Sequence, residues 1–198
     1  MLAKRLFDLL SSSLAILVLS PFFALIAICI KLDSRGPVFF RQERVGRYGK
    51  PFRIYKFRTM CLAAEAKGLQ ITVTDDPRIT RTGRFLRRYK LDELPQLFNV
   101  LLGEMSLVGP RPEVSRYVLL YPPAVREQVL SLSPGITDYA SIEYRNENSI
   151  LSRSDDPERA YIEEVMPAKL VHYQRYVAER SMWIDIKLIV KTIKAVIT

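Results

Sequence analysis

The sequence is poor in sulfur and imidazole. Among its 198 residues there are two cysteines, Cys29 and Cys61, and one histidine, His172. Cys29 lies in the most apolar segment, so neither a disulfide framework nor a thiolate metal site fits, and a reducing, cytosol-facing setting does. One imidazole excludes a two-histidine metal site and leaves any histidine-activated nucleophile resting on a single ring. Carboxylates are therefore the better catalytic candidates. Repeats, low-complexity tracts and linkers are also missing, and the length suits one domain with a sizeable core rather than two. Positive charge is abundant: Lys and Arg total 30 against 21 for Asp and Glu, a formal net charge of +9. That balance favours anionic partners, whether lipid headgroups, nucleic acid or phosphorylated substrates.

Charge vanishes altogether from Leu9 to Ile30, LLSSSLAILVLSPFFALIAICI, which has the length and composition of a membrane helix. The run is too long for a cleavable leader and passes into Lys31 with no small-x-small site. Ser20-Pro21 at its midpoint removes a backbone donor and predicts a sharp bend. Lys4 and Arg5 precede the run, and Lys31, Arg35, Arg41 and Arg44 follow it, so the flanking charge gives no preferred orientation. A re-entrant helix that breaks at Ser20-Pro21 and leaves by the face it entered satisfies both features, provided Ser20 or a neighbour caps the freed backbone groups. A kinked helix that spans is the competing reading. Farther along, Ile186, Ile189, Val190, Ile193 and Ile197 recur at helical spacing opposite Lys187, Lys191 and Lys194, with Trp183 at the start. That pattern suits an amphipathic helix lying in the membrane interface, and equally a helix packed on a core.

Elsewhere the expected fold is α+β and mainly helical. Val38–Phe40 and Phe52–Phe57 read as strands joined by a turn around Gly46–Pro51. Residues 61–70 read as helix, Asp75-Asp76-Pro77 as a turn, Gly83–Tyr89 as a short basic helix, and Pro157 to Ala178 as a longer helix entered through proline. The expected division is one catalytic domain over 1–198: membrane helix 1–31, catalytic core 32–182 and interfacial helix 183–198.

Residues 81–112, RTGRFLRRYKLDELPQLFNVLLGEMSLVGPRP, hold the strongest chemical signal. Arg81, Arg84, Arg87, Arg88 and Lys90 crowd ahead of Asp92-Glu93, and Arg111 lies between two prolines. Asp92 reads as the N-cap of a helix running to Leu102, with Glu93 and Pro95 in its first turn, so the helix dipole favours both an ionised carboxylate and a nearby phosphate. Neighbours on a helix point apart, so the pair is unlike two glycosidase carboxylates facing across a sugar. An aspartate can instead attack phosphorus and form an acyl phosphate, while the second carboxylate holds Mg2+ or manages a proton. Taken singly, an Asp-Glu pair is usually a cap, an arginine cluster a solvated or lipid-facing surface, and GPRP a turn with Arg111 as an ion-pair partner.

Resemblance changes that balance. KFRTM at 56–60, LDELPQLFNVLLGEMSLVGPRP at 91–112 and PGIT at 134–137 resemble the monotopic phosphoglycosyl transferases, the bacterial sugar transferase family. So do the opening KRLFD, the Ser-Pro step and GPVFFRQERVG. The similarity covers nearly the whole chain, and its length matches members built of the catalytic core alone.

The resemblance implies a monotopic protein at the cytoplasmic face of the bacterial inner (cytoplasmic) membrane. Its reaction would move a sugar 1-phosphate from a UDP-sugar to polyprenyl (undecaprenyl) phosphate and release UMP, as the first membrane step of envelope glycan or glycoconjugate assembly. It further implies Mg2+ as cofactor, with Asp92 among its ligands, membrane lipids as partners, no nucleic acid, and Asp92 as the nucleophile that becomes phosphoglycosylated. Glu93 is its required neighbour in an acid-base or orienting role. Lys56, Arg87 and Arg111 match basic positions near phosphates or nucleotide, and Arg145 matches the arginine ending the family's common GLAQVNGR stretch. Here that stretch reads DYASIEYR, Asp138–Arg145, either a determinant of sugar choice or a packing variation.

Two other readings are weighed against this one. A non-enzymatic basic adaptor would bind anionic lipid or nucleic acid in a salt-dependent way and have no need of Asp92 or Glu93. A CDP-dependent phosphotransferase would need an aspartate-rich helical signature that the sequence does not contain. An exposed apolar patch leaves room for a homodimer.

Overall fold

The computed structural model describes residues 2–61 and 76–197. One helix among them, α1 (Leu2–Asp33), is long and apolar enough to cross a membrane. It is two-faced. Phe23, Ile26 and Ile30 bury against Phe57, Leu86 and Leu97, whereas Leu10, Leu14, Leu17, Leu25, Ile28 and Leu32 stand exposed on the other side. The expected break at Ser20-Pro21 does not divide it, and helix continues through Pro21. Proline has no N–H for the Leu17 carbonyl four residues back. The Ser20 hydroxyl donates to that carbonyl instead, at 2.8 Å.

Polar contacts fasten both ends of α1 to the rest of the protein. Arg5 donates to the Val100 and Leu101 carbonyls at 2.6 and 3.0 Å, and the buried Asp8 accepts from Ser106 Oγ at 2.8 Å. Lys4 pairs with Asp185 at 2.5 Å. At the other end Asp33 accepts from the Thr82 amide at 2.7 Å, and Arg58 donates to the Ser34 carbonyl at 2.7 Å.

Gly36-Pro37 separates α1 from an antiparallel hairpin, β1 (Phe39–Val45) and β2 (Pro51–Phe57), in register from Phe39 opposite Phe57 to Val45 opposite Pro51. The first strand is longer than Val38–Phe40, because pairing across the turn extends it through charged, half-exposed positions. The helix expected over 61–70 lies outside the described residues except for Cys61. Asp76 forms the expected turn with Ile79. Thr80 then caps α2 (Arg81–Arg88), its hydroxyl accepting from the Gly83 amide at 3.0 Å. A Cβ on Gly83 would lie 2.1 Å from the Thr59 carbonyl oxygen, so glycine lets α2 press against the end of the hairpin.

Lys90, left-handed at φ 55°, ends α2 and turns the chain into a single 3-10 turn, Leu91–Glu93, ahead of α3 (Gln96–Leu102). Two three-residue strands, β3 (Ser106–Val108) and β4 (Gly135–Thr137), pair in parallel. A Cβ on Gly135 would come 2.0 Å from the Gly109 nitrogen, so the strands close only with glycine there. Between them lie α4 (Ser115–Val118) and α5 (Pro123–Leu130), and after them α6 (Tyr139–Glu143), α7 (Glu147–Leu151) and α8 (Pro157–Ala160).

The helix expected from Pro157 appears as one run: α8, a π turn over Tyr161–Val165, and α9 (Met166–Glu179). Val114, Tyr117, Val129, Leu151, Met166 and Tyr173 form the core around it. The last helix, α10 (Met182–Ile197), packs on the core along one side and leaves apolar side chains exposed on another. Leu188 is buried beside Tyr176 and Val108, while Trp183, Ile186, Val190 and Ile193 are exposed. The Tyr176 hydroxyl sits between the Val108 carbonyl and the Asp185 carboxylate, at 3.1 and 2.7 Å, so one buried carboxylate joins α1, α9 and α10.

Candidate active site

A cleft of about 1110 Å³ opens beside the Leu91–Glu93 turn, and Lys56, Arg87, Asp92, Glu93, Arg111 and Arg145 all line it. Residues scattered over 90 positions of sequence thus meet in one space. The hairpin contributes Lys56, α2 contributes Arg87, the loop after β3 contributes Arg111, and the segment between α6 and α7 contributes Arg145. Ser20 and Pro21 lie apart from it on α1.

Asp92 is not the N-cap of α3. That helix begins at Gln96 with Pro95 before it, because the left-handed Lys90 starts a separate tight turn in which Asp92 is the central residue. The turn leaves the Asp92 side chain buried, and its Oδ1 has no hydrogen-bond partner. Burial pushes the Asp92 carboxyl up and the adjacent Glu93 charge pushes it further, against the pull of Lys56, Arg87 and Lys90.

Glu93 is held quite differently. Lys56 Nζ donates to its Oε1 at 2.9 Å, and the Arg111 guanidinium grips both carboxylate oxygens, one of them at 2.9 Å. Burial opposes its ionisation, but Arg111 and Lys56 outweigh that and hold the carboxyl well below the usual glutamate range. A carboxylate with every oxygen engaged is a poor proton shuttle and a good fixed strut. One chain step separates an unpaired carboxylate from a fully paired one.

The cations are similarly constrained. Burial lowers the Lys56 ammonium, with Glu93 pulling it back toward charge. Burial also lowers the Arg87 guanidinium against the attraction of Asp92, and its Nε donates to Thr59 Oγ1 at 2.9 Å, fixing the side chain that Gly83 brings close. Sequence reasoning singled out Lys56 from KFRTM and passed over Arg58, which is 5% exposed, lines the cleft and has Nε and Nη1 unpartnered. Its position two residues beyond Lys56 in the same motif was the available signal.

The wall beyond Arg111 was also missed. Glu113 accepts from Arg44 at 2.9 Å and from the Tyr161 hydroxyl at 2.5 Å, and Lys169 pairs with Glu147 at 2.6 Å. Tyr161 opens the π turn, which aims its ring at the Tyr117 ring 4.9 Å away. Within Asp138–Arg145, the cleft is lined by Ala140, Ser141, Ile142, Tyr144 and Arg145. Asp138 is instead a buried cap accepting from the Ser141 amide at 2.7 Å, and Tyr139 turns outward to Glu179. Among the described residues no group of three or more His, Cys, Asp or Glu side chains is arranged to hold a metal.

Comparisons with known proteins fit this geometry. The family model described as bacterial sugar transferase matches residues 1–198. A UDP-N-acetylgalactosamine-undecaprenyl-phosphate N-acetylgalactosaminephosphotransferase of Aeromonas hydrophila is 38% identical over 98% of this chain and 44% of its own length. An undecaprenyl-phosphate glucose phosphotransferase of Komagataeibacter xylinus is 42% identical over 98% of the chain and 36% of its own length. The chain thus spans less than half the length of each of those two relatives. It covers 95% of an exopolysaccharide production protein of Rhizobium leguminosarum bv. phaseoli, at 40% identity. With its whole length matched and its conspicuous carboxylates and cations gathered in one cleft, the chain belongs to the bacterial sugar transferase family.

Proposed function

We propose that the protein moves a sugar 1-phosphate from a UDP-sugar to polyprenyl phosphate, releasing UMP, as a single catalytic unit at the cytoplasmic face of the bacterial inner membrane. The observation that carries this reading is the contrast at the heart of the cleft, where Asp92 is buried and unpaired beside a Glu93 saturated by Arg111 and Lys56. An Asp92 oxygen attacks the phosphorus attached to the sugar, and the bond to UMP breaks, leaving an acyl phosphate that carries the sugar. A phosphate oxygen of the lipid then attacks the same phosphorus and returns Asp92 to its carboxylate form. Glu93 orients: it fixes Arg111 and Lys56 where negative charge develops on the transferred phosphoryl group, and Arg87, braced by Thr59, serves the same charge from the other side. The names of the relatives support both the donor class and the lipid acceptor.

Mg2+ fits this donor set through one protein carboxylate and the diphosphate, an arrangement usual for an ion that binds through one or two carboxylates plus substrate phosphates. Asp92, with an orphaned buried oxygen, would hold it; Glu93 is fully engaged elsewhere. When bound, the ion neutralises the diphosphate that must approach a carboxylate.

The membrane reading is monotopic and re-entrant. Contacts at Lys4–Asp8 and again at Ile26–Ser34 tie both ends of α1 to one body, which suits a segment that does not leave that body on the far side of a bilayer. The test of function is incubation with a panel of UDP-sugars without lipid acceptor, followed by intact mass. An adduct of one sugar phosphate on Asp92, with one UMP released per chain, is expected. Turnover with acceptor but no adduct would overturn the covalent route. UMP release with no donor in the panel would overturn the donor assignment.

A further inference from the structure

The cleft changes character along its length. Charged residues gather around Asp92, but Leu97, Leu107, Ile136, Ile142, Ile189 and Ile193 also line it, apart from the aromatic lining that the hairpin gives through Phe39, Phe40 and Phe57. Leu107 packs both with the group around Leu97 and with the group around Leu188, so the apolar surface is continuous from the start of α3 to α10. Ile193, 54% exposed, stands where this surface meets the outside, on the same helix as the exposed Trp183, Ile186 and Val190. The Thr137 and Thr192 hydroxyls, 2.6 Å apart, satisfy each other in the middle of it and so leave little polar demand on an occupant.

Of α1 and α10, the described helices with the longest exposed apolar faces, only α10 reaches the cleft. Among the described residues α1 contributes nothing to the lining, because its inner face is spent on Phe57, Leu86 and Leu97 and its outer face points away. From α10 come Ile189, Thr192, Ile193 and Ala195. A UDP-sugar has no hydrocarbon to place against such a wall. A lipid phosphate has little else, and every methylene of its chain drawn from an apolar setting into water costs free energy. If phosphorus is attacked beside Asp92, the chain therefore needs a dry path from bilayer to cleft.

Resting on the acceptor class given above, we propose that the hydrocarbon chain of the lipid phosphate enters along α10, in the channel that Ile189 and Ile193 form with Leu107, Ile136 and Ile142, and that α1 anchors the protein without guiding the acceptor. Ile193 is the gate residue of this path and Ile189 its floor.

The experiment uses the full chain in nanodiscs and a polyprenyl phosphate carrying a diazirine on its first isoprene units. Label is expected in peptides containing residues 139–142 and 189–193, and competition by unmodified polyprenyl phosphate should remove it. Label concentrated in residues 14–28 of α1, or no competed label at all, would overturn the proposal. In detergent, Ile193→Gln is expected to lower kcat/KM for a long-chain acceptor about tenfold while the UMP burst from donor alone stays within twofold. Leu17→Gln, on the outer face of α1, should leave acceptor kcat/KM within twofold. An unchanged acceptor constant in Ile193→Gln, or an equal fall in the burst, would also overturn it. Labelling needs no turnover, so a wrong assignment of donor or reaction would leave the labelled peptides unchanged and appear only in the rate measurements.

Discussion

Asp92→Asn separates what the buried carboxylate does for chemistry from what it costs the fold. The side chain is 8% exposed, and its Oδ1 lacks a partner. Its carboxyl is pushed up by burial first and by Glu93 second. A carboxyl whose folded pKa lies above its unfolded value prefers to fold protonated, so the penalty is absent at low pH, sets in as pH rises past the unfolded pKa and is complete above the folded one. Each unit of that upward displacement converts to about 1.4 kcal/mol. Asparagine keeps a polar atom at the same buried place, so what it relieves is the cost of the charge, and each kcal/mol relieved is worth roughly 2–4 °C in Tm for a chain of this size. The neutral amide should therefore melt higher than wild type by several degrees at pH 7.5, and the gain should shrink toward zero near pH 4. Turnover in a UMP-release assay should fall at least about 10³-fold. Melting curves in one detergent from pH 4 to pH 8, read by fluorescence, test the first claim. A variant that melts no higher at pH 7.5, or keeps turnover within tenfold, would refute the reasoning.

Glu93→Gln removes a charge that raises the Asp92 carboxyl, so the acid limb of the donor half-reaction should move to lower pH while its plateau falls as Arg111 and Lys56 come loose; an unmoved limb would speak against the coupling. The same change leaves two cations short of a partner and should cost about 3 kcal/mol in denaturant melts, the low end for breaking a buried pair. Gly83→Ala puts a Cβ 2.1 Å from the Thr59 carbonyl, so α2 must shift, at a cost of about 1–3 kcal/mol and with weaker donor binding through displaced Arg87, read as a rise in KM. Ser20→Ala should cost about 1 kcal/mol in the native sequence and close to nothing in a Pro21→Ala background, where the restored amide reclaims the Leu17 carbonyl; a double-mutant cycle on thermal stability measures the difference.

Long, strongly patterned segments were readable from residues alone. The uncharged run became α1, the Pro157 run became one helix, and the Trp183 segment became α10, because each carries its own periodicity. Lys56, Asp92, Glu93 and Arg111, which the cleft brings together, were singled out because KFRTM, LDELPQ and GPRP resemble a family's motifs. What stayed hidden depended on partners distant in sequence. Three-residue strands such as β3 and β4 have no period to detect, and their pairing turns on Gly109 meeting Gly135. The cap expected at Asp92 failed because Lys90 adopts a left-handed conformation that no glycine announces. The role of Glu93 was illegible because Arg111 lies 18 residues away and Lys56 lies 37. The break expected at Pro21 does not divide the helix, because the Ser20 hydroxyl beside it takes up the Leu17 carbonyl that proline leaves free.

The two-ended fastening of α1 has a mechanical corollary. A helix tied at Lys4–Asp8 and again at Ile26–Ser34 cannot rock, swivel or slide without dragging the hairpin, α2 and α3 with it. Whatever surface its leucine-rich outer stripe adheres to, the turn that carries Asp92 rides above that surface at one fixed altitude, like a gauge whose probe and dial are a single casting. Under the proposed reaction, a soluble nucleotide sugar and a greasy phosphate would meet at a height that the protein sets and the thickness of the bilayer does not.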